Sequence, residues 1–200
     1  MPWFWIIAGP NGAGKTTLVS AGVVRKAAGI ELTSLNADVR TAAILANAPD
    51  TPDANLRAAI EIDAKVVECI DEGRDFLVET VLSSDKYLDD VQRAIRLGYR
   101  IGVIYVALET PQDAVRRVRL RHDRGGHDVP LDRIVERWSR SIGMLGRLAP
   151  MADRLYVFDN TDPDTPVLIA RKDRGPITLV SANRIPAIDA VLLAAGAVSR

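Results

Sequence analysis

The sequence is poor in the residues that build metal centres, disulfides and nucleic-acid tracks. It has one cysteine and two histidines in 200 residues, so an internal disulfide is excluded and no transition-metal site is expected. Its 26 basic and 26 acidic residues leave no net charge, whereas a polynucleotide track normally needs a basic stripe. We therefore expect no nucleic-acid partner.

Long apolar runs are also lacking. The first, residues 3–8, has no basic region before it and is interrupted by Gly9-Pro10-Asn11-Gly12, which is not the pattern of a signal peptide. The C-terminal run, residues 187–198, contains Asp189 and is too short to span a bilayer. Apolar residues still make up 48% of the chain, enough for a folded core. The expectation is a cytoplasmic protein without a membrane partner.

Predicted strands and helices alternate along the chain. Short apolar runs predict strands at 3–8, 32–36, 76–78, 101–108 and 155–158. Helices are predicted at 15–28, 38–47, 53–72, 85–97, 111–124, from about 131 to 148, and at 186–196. The helix over 53–72 places Leu56, Ile60, Val67 and Ile70 at helical spacing, and 167–170 with 177–180 resemble a small hairpin. This order predicts an α/β three-layer sandwich around a mainly parallel sheet, in a single domain over residues 1–200.

The clearest motif is a phosphate loop directly after the first strand. Residues 9–16 match GxxxxGK[ST] in full. Glycines allow the backbone N–H groups to converge on one anion, and the following helix directs its positive end at the phosphates. Lys15 would add charge for the β- and γ-phosphates, and the Thr16 hydroxyl would ligate Mg²⁺. The predicted nucleotide-binding set is Gly9, Pro10, Asn11, Gly12, Ala13, Gly14, Lys15, Thr16 and Thr17.

Two carboxylates follow the second and third strands. Asp38 lies just past the second strand, and Glu79-Thr80 follows the third. Carboxyl ends of parallel strands open into one crevice, so Asp38 could accept a proton from a substrate hydroxyl aligned with the γ-phosphate. Asp38 could equally cap the next helix, and Glu79 could be either a substrate contact or a solvated loop acid. Spacing alone leaves both alternatives open.

Arginines are concentrated on two helices that follow the fourth strand. Those at i, i+4, i+7 spacing are Arg117, Arg121 and Arg124 on the first helix and Arg133, Arg137 and Arg140 on the second. Gly125-Gly126 separates the two helices. An arginine-bearing pair with a glycine hinge, over about 111–140, predicts a lid that closes on the transferring phosphoryl group. The alternative is a solvated charged face, partly balanced by Asp113 and Asp123.

Together these stretches resemble the zeta-toxin family of P-loop kinases over roughly residues 1–160. The matching stretches are Ala8 to Thr16, Asn36-Ala37-Asp38, Glu79-Thr80, and Arg117-Val118-Arg119-Leu120-Arg121 leading to Gly125-Gly126-His127-Asp128-Val129-Pro130, with Ile134 and Arg137 beyond. The last of these combinations is far rarer than the phosphate loop, and it is the most specific part of the resemblance.

The resemblance implies an activity and residue roles. Family toxins use ATP or GTP to phosphorylate the 3′-hydroxyl of the sugar in UDP-N-acetylglucosamine, and an antitoxin is a typical partner. Carried over, Asp38 is the catalytic base, Lys15 and Thr16 hold phosphates and Mg²⁺, and Arg121 and Arg137 clamp the phosphate. The implied substrate contacts are Asn36, Glu79, Thr80 and Arg117.

One residue departs from the family pattern. A second threonine often follows the Glu-Thr pair, and here that position is Val81, so one expected substrate hydrogen bond is missing. The leading hypothesis is a kinase for a hydroxyl of a small molecule, with UDP-N-acetylglucosamine as first candidate. The alternatives are a kinase for another small acceptor, such as a nucleoside or an antibiotic, and a nucleotide-dependent regulatory protein.

Overall fold

A single sheet runs through the computed structural model, which describes residues 1–30, 32–123 and 130–199. The strands are β1 (Trp3–Ala8), β2 (Thr33–Asn36), β3 (Phe76–Thr80), β4 (Arg100–Ala107), β5 (Arg154–Asp159), β6 (Val167–Asp173), β7 (Thr178–Leu179) and β8 (Val198–Ser199). The helices are α1 (Lys15–Ser20), α2 (Val23–Ala28), α3 (Ala37–Asn47), α4 (Ala54–Asp71), α5 (Lys86–Arg96), α6 (Pro111–His122), α7 (Leu131–Leu148) and α8 (Pro186–Ala194), with a 3₁₀ turn at Ala149–Met151.

The strand order in the sheet is β2-β3-β1-β4-β5-β6-β7-β8. The first five strands in this order are parallel, and β6 then pairs antiparallel with both β5 and β7. The central strand β1 pairs Ala8 with Thr80 on one side and with Tyr105 on the other. The carboxyl ends of β1, β3 and β4 therefore lie side by side, and the phosphate loop starts from the middle of this edge.

Side chains alternate across the sheet and form two cores. Phe4 and Ile6 of β1 belong to the core that contains α4, α5 and α8, while Trp5 and Ile7 belong to the core that contains α1, α2 and α6. Helix α7 contributes to both cores, because Ile134 lies in the second and Ile142 in the first. Helices on both faces of a mainly parallel sheet confirm the predicted α/β three-layer sandwich.

The prediction of one continuous helix over 15–28 was wrong. This stretch is divided after Ser20, because Gly22 adopts a left-handed conformation (φ +74°) at the start of α2. The helix predicted over 53–72 is present as α4, but Leu56 and Ile60, two of the apolar residues whose spacing indicated it, are each 59% accessible. The buried side chains of α4 are instead Ala54, Ala58, Ile62, Val66, Cys69 and Ile70. The small alanines on this face allow α4 to pack closely on α3. The buried face of α4 therefore holds fewer large side chains than the exposed one.

The C-terminal part continues the sheet. The predicted hairpin is present as β6 and β7, which pair Ala170 with Leu179. The last helix ends at Ala194, two residues earlier than predicted, and β8, which pairs parallel with β7, was not predicted. Among the described residues, no helix is long and apolar enough to cross a membrane.

Candidate active site

The phosphate loop approaches its neighbours too closely for side chains at its glycines. A Cβ on Gly9 (φ +143°) would lie 2.1 Å from the Val106 carbonyl oxygen, and one on Gly14 (φ +91°) would lie 2.6 Å from the Asn160 amide nitrogen. Both distances are below any real Cβ contact, and both φ values disfavour L side chains. The loop therefore requires glycine here for steric as well as conformational reasons.

Two side chains outside the motif hold the loop from the β5 side. The Asn160 amide donates to the Ala13 carbonyl at 2.6 Å. Arg117 of α6 donates to the Gly12 carbonyl at 3.4 Å and to the carbonyls of Asn160 and Thr161 at 2.6 and 2.9 Å. Arg117 thus joins the loop to the segment that follows β5. Its predicted contact with substrate stays a prediction.

Lys15 is folded onto its own loop. Its ammonium group donates to the carbonyls of Gly9 at 2.9 Å and Pro10 at 3.2 Å, and the residue is only 9% exposed. Burial lowers the pKa of Lys15, the carboxylates of Glu79 and Asp38 oppose this, and the Arg121 guanidinium lowers the pKa further. The charges at the predicted catalytic positions therefore act on one another across a short distance.

Glu79 joins the phosphate loop to the end of β2. Its two carboxylate oxygens accept from the Thr16 hydroxyl at 2.8 Å and from the Asn36 amide at 2.7 Å. These hydrogen bonds place Glu79 inside the site, whereas the alternative was a solvated loop acid. The register β2–β3 explains the geometry, because Asn36 and Glu79 are paired neighbours at the carboxyl ends of these strands.

Asp38 is not the residue that caps α3. The cap is Asn36, whose side-chain oxygen accepts from the backbone N–H groups of Asp38 at 2.8 Å and Val39 at 3.2 Å. Asp38 lies in the first turn of α3, is exposed, and lines the same cleft as Lys15. The capping alternative is thereby removed, and the side chain is available for another role.

A cleft of about 600 Å³ brings most of the predicted site together. Predicted site residues that line it are Asn11, Gly12, Gly14, Lys15, Thr16, Thr17, Asp38, Glu79, Thr80, Arg117, Arg121 and Arg137. Gly9, Pro10, Ala13 and Asn36 are not among the lining residues. The other walls come from Ala37 of α3, Ala59 of α4, residues 81–84 after β3, and Lys86 and Tyr87 of α5. The cleft therefore extends from the phosphate loop to the start of α5.

A second cavity, of about 810 Å³, lies on the other side of the phosphate loop. It shares Gly12, Gly14, Thr17, Arg117 and Arg121 with the first cleft. Its remaining walls are Leu18, Ala21, Arg116, Leu120, Asn160, Pro163 and Pro166. The sequence-based site lacked Asn160 and the two prolines, although Asn160 also follows a parallel strand and could have been found by the reasoning that identified Asp38.

The two helices of the predicted lid differ in how they are fixed. Helix α7 is joined to the sheet, since the Trp138 indole donates to the Leu108 carbonyl at 3.1 Å and the Ser141 hydroxyl donates to the Val81 carbonyl at 2.7 Å. Arg121 and Arg137 form no ion pair with another described residue, whereas Arg116 and Arg140 pair with acids on their own helices. The predicted hinge Gly125-Gly126, with Arg124 and the segment 127–129, lies outside the described residues, so closure of the lid stays a prediction.

A tight turn follows β3, where the chain leads from the strand to the wall of the cleft. The Thr80 hydroxyl accepts from the Leu82 backbone N–H at 3.0 Å, and Leu82 is buried with a left-handed backbone, φ +56°. Such a conformation is uncommon for a residue with a Cβ and is often found at functional sites. Here it turns residues 83–87 over the cleft.

The fold and the phosphate loop together are those of a P-loop kinase. A protein-family model described as Zeta toxin matches residues 1–163 of this chain. Because the match covers most of the chain, the protein belongs to the zeta-toxin family, as the sequence resemblance implied. No curated protein sequence matches the chain.

Solved structures with the same fold share few identical residues with it. A chain of the AvrRxo1-ORF1:-ORF2 complex with ATP is 15% identical with a TM-score of 0.70, covering 91% of this chain and 61% of that one. A chain of the PezAT toxin–antitoxin system of Streptococcus pneumoniae is 16% identical with a TM-score of 0.62, covering 84% and 70%. A putative kinase from Chloroflexus aurantiacus is 16% identical with a TM-score of 0.56, covering 82% and 88%. The chain thus spans less than two thirds of the AvrRxo1 chain.

Proposed function

We propose that this protein is a kinase that transfers the γ-phosphate of ATP, or of GTP, to a hydroxyl of a small molecule. The observation that carries the proposal is the single cleft in which Lys15, Asp38 and Arg121 converge. A protein that only binds nucleotide has no need of a carboxylate and unpaired arginines at the γ-phosphate end. Membership of the zeta-toxin family supports the same activity, and the structure of the similar AvrRxo1-ORF1:-ORF2 complex with ATP supports ATP as the donor.

The donor would lie across the phosphate loop. Its nucleoside would occupy the cavity walled by Leu120 and Pro163, and its phosphates would pass Gly12 and Gly14 into the acceptor cleft. Lys15 would exchange its two backbone carbonyl partners for phosphate oxygens. The buried Oδ1 atoms of Asn11 and Asn160, which have no partner among the described residues, also leave acceptor groups for water or ligand beside the loop.

Mg²⁺ fits the residues beside the γ-phosphate position. The Thr16 hydroxyl and the Glu79 carboxylate each offer an oxygen ligand for a metal, and the two oxygens lie 2.8 Å apart. Mg²⁺ prefers oxygen ligands. The described residues contain no group of three or more His, Cys, Asp or Glu side chains suited to a metal, and Mg²⁺ in kinases takes most of its ligands from phosphates and water. When bound, it would neutralise charge on the β- and γ-phosphates.

Asp38 would act as the base. As the acceptor oxygen bonds to the γ-phosphorus, its proton passes to the Asp38 carboxylate, and the bond from the γ-phosphorus to the bridging oxygen breaks to release ADP. Arg121 and Arg137 would hold the equatorial phosphate oxygens while this charge redistributes. The absence of an ion pair with another described residue leaves both guanidinium groups available for that contact.

The first candidate acceptor is UDP-N-acetylglucosamine, as family membership suggests. The cleft carries more positive than negative side chains, because Lys15 and the three arginines outnumber Asp38 and Glu79, while Lys86 is paired with Asp63. Such a surplus suits an acceptor that carries phosphates of its own. An antitoxin partner in the cytoplasm is also proposed, since one of the similar structures belongs to the PezAT toxin–antitoxin system.

Val81 favours a second candidate, a kinase for another small acceptor. Its side chain lines the cleft where the family often has threonine, so a sugar hydroxyl would lose a partner there. A site with an unmatched polar group can shift substrate preference strongly.

Acceptor-dependent formation of ADP tests the proposal. The purified protein would be incubated with ATP and Mg²⁺, alone and with UDP-N-acetylglucosamine, nucleosides or aminoglycosides, beside Lys15→Ala as a control. We expect turnover that requires one of these acceptors and is lost in the control. Hydrolysis that is equally fast without any acceptor would contradict the kinase assignment.

A further inference from the structure

The C-terminal part of the chain contacts the nucleotide side of the site through one ion pair. Arg184 lies outside the residues matched by the zeta-toxin model, which end at 163. Its Nε atom donates to Oδ2 of Asp159 at 2.9 Å, and the Asp159 side chain is only 5% exposed, against 47% for Arg184. The buried carboxylate therefore depends on an arginine that comes from beyond the family match.

Asp159 in turn organises the segment that follows β5. Its second carboxylate oxygen accepts from the Thr161 backbone N–H at 2.9 Å. Burial alone would raise the pKa of Asp159, but hydrogen bonds from Thr161 and Arg184 bring the pKa below its usual value. The carboxylate is thus charged near neutral pH and keeps both partners.

The segment held in this way walls the second cavity. Asn160 donates to the Ala13 carbonyl of the phosphate loop and, through its backbone N–H, to the Ala107 carbonyl at 3.0 Å. Pro163 and Pro166 also line this cavity. A change at Asp159 would therefore alter where this wall stands.

Arg184 is itself held by the last helix. Asn183, the residue before it, has a left-handed backbone (φ +67°), and its N–H donates to the buried carboxylate of Asp189 in α8 at 2.6 Å. These contacts connect α8 to the cavity through Asn183, Arg184 and Asp159 in turn. Such a series fixes the direction of the Arg184 side chain.

We infer that Arg184 is a positioning residue for nucleotide binding, which acts through Asp159 to hold the wall of the nucleoside cavity. This inference rests on the proposed function, because it takes the second cavity as the nucleoside site. It gives the C-terminal segment a role in binding the nucleotide donor and no role in binding the acceptor.

Binding of ATP and of inorganic triphosphate to Arg184→Ala, Arg184→Lys and the unsubstituted protein tests the inference. Arg171→Ala is the matched control, since Arg171 is exposed in β6 of the same C-terminal segment. We expect Arg184→Ala to weaken ATP by about tenfold, the size of a lost hydrogen bond to a charged group. Triphosphate, which reaches the phosphate loop but not Pro163 or Pro166, should lose less affinity than ATP, and Arg184→Lys should recover part of the loss. The KM for the acceptor should stay the same in all variants.

Two results would overturn the inference. If ATP binds Arg184→Ala and the unsubstituted protein equally well, Arg184 has only a structural role. If ATP and triphosphate weaken together in step with a lowered Tm, the effect is general destabilisation. A failure of the unsubstituted protein to bind ATP is a different result, since it would reject the proposed function and this inference with it.

Discussion

The Thr16 hydroxyl donates a 2.8 Å hydrogen bond to the carboxylate of Glu79, 63 residues away in the sequence. The contact joins the first turn of α1, at the end of the phosphate loop, to the end of β3. Glu79 also accepts from Asn36, which caps the helix that carries Asp38. One carboxylate thus connects the predicted metal ligand to the predicted base.

Replacing Glu79 by glutamine should slow turnover by about tenfold to a hundredfold, the usual cost of losing a residue that orients a metal ligand. The amide keeps the shape of the side chain but loses the charge and one acceptor. Affinity for ATP without Mg²⁺ should be kept or improved, because a negative charge near the phosphates is removed. Steady-state kinetics over a range of Mg²⁺ concentrations measures this, with exposed Glu136→Gln as the control. An unchanged dependence on Mg²⁺ would remove Glu79 from this role.

Arg121→Ala should lower kcat by about 10²-fold to 10³-fold and change the Kd for ATP much less, because the guanidinium is expected to act on the transferring group. Arg119 is the matched control, since it is exposed on the same helix and lines neither cavity. Arg119→Ala should retain full activity in the same assay. Equal losses in the two variants would indicate that the helix needs its charge as a whole, as the solvated-face alternative supposes.

Val81→Thr tests the choice of acceptor. The two side chains have nearly the same shape, and threonine restores the hydroxyl that the family often has at this position. If the acceptor is a UDP-amino-sugar, kcat/KM for it should rise by about tenfold, as for one good hydrogen bond. No improvement with this substrate, alongside turnover of another acceptor, would favour the second candidate function.

The steric account of the phosphate loop predicts opposite effects for two glycine-to-alanine changes. Gly9→Ala places a methyl group 2.1 Å from the Val106 carbonyl oxygen and should reduce the free energy of unfolding by about 3 kcal/mol or more. Gly143 lies within α7 with no atom within 4 Å of an added Cβ, so Gly143→Ala should increase it by about 0.5–1 kcal/mol. Urea denaturation measures both. Similar stabilities for the two variants would contradict the geometry.

Local patterns in the sequence were sufficient for the five parallel strands, the β6–β7 hairpin, the phosphate loop and the positions of Asp38 and Glu79. Each of these follows a strand directly, so position along the chain determines position at the sheet edge. Spacing could not decide whether Asp38 caps α3, because aspartate is a common helix cap. The side-chain hydrogen bonds of Asn36 settled that question.

Features that depend on distant packing were not predictable in this way. Helical spacing identified α4 but did not show which face is buried, since Leu56 and Ile60 are exposed and the small Ala58 is buried. The Arg184–Asp159 pair joins residues 25 positions apart through a turn whose direction depends on Asn183. No motif marks such a contact, because it arises only when the C-terminal hairpin and helix pack beside β5.

The central claim is that Asp38 takes the proton of an acceptor hydroxyl, and Asp38→Asn tests it most directly. The amide keeps the size of the side chain and cannot act as a base, so acceptor-dependent ADP formation should fall by about 10²-fold to 10⁴-fold. The Kd for ATP should stay close to that of the unsubstituted protein, since Lys15 and the loop backbone hold the phosphates. Full turnover in Asp38→Asn with a competent acceptor would contradict the account.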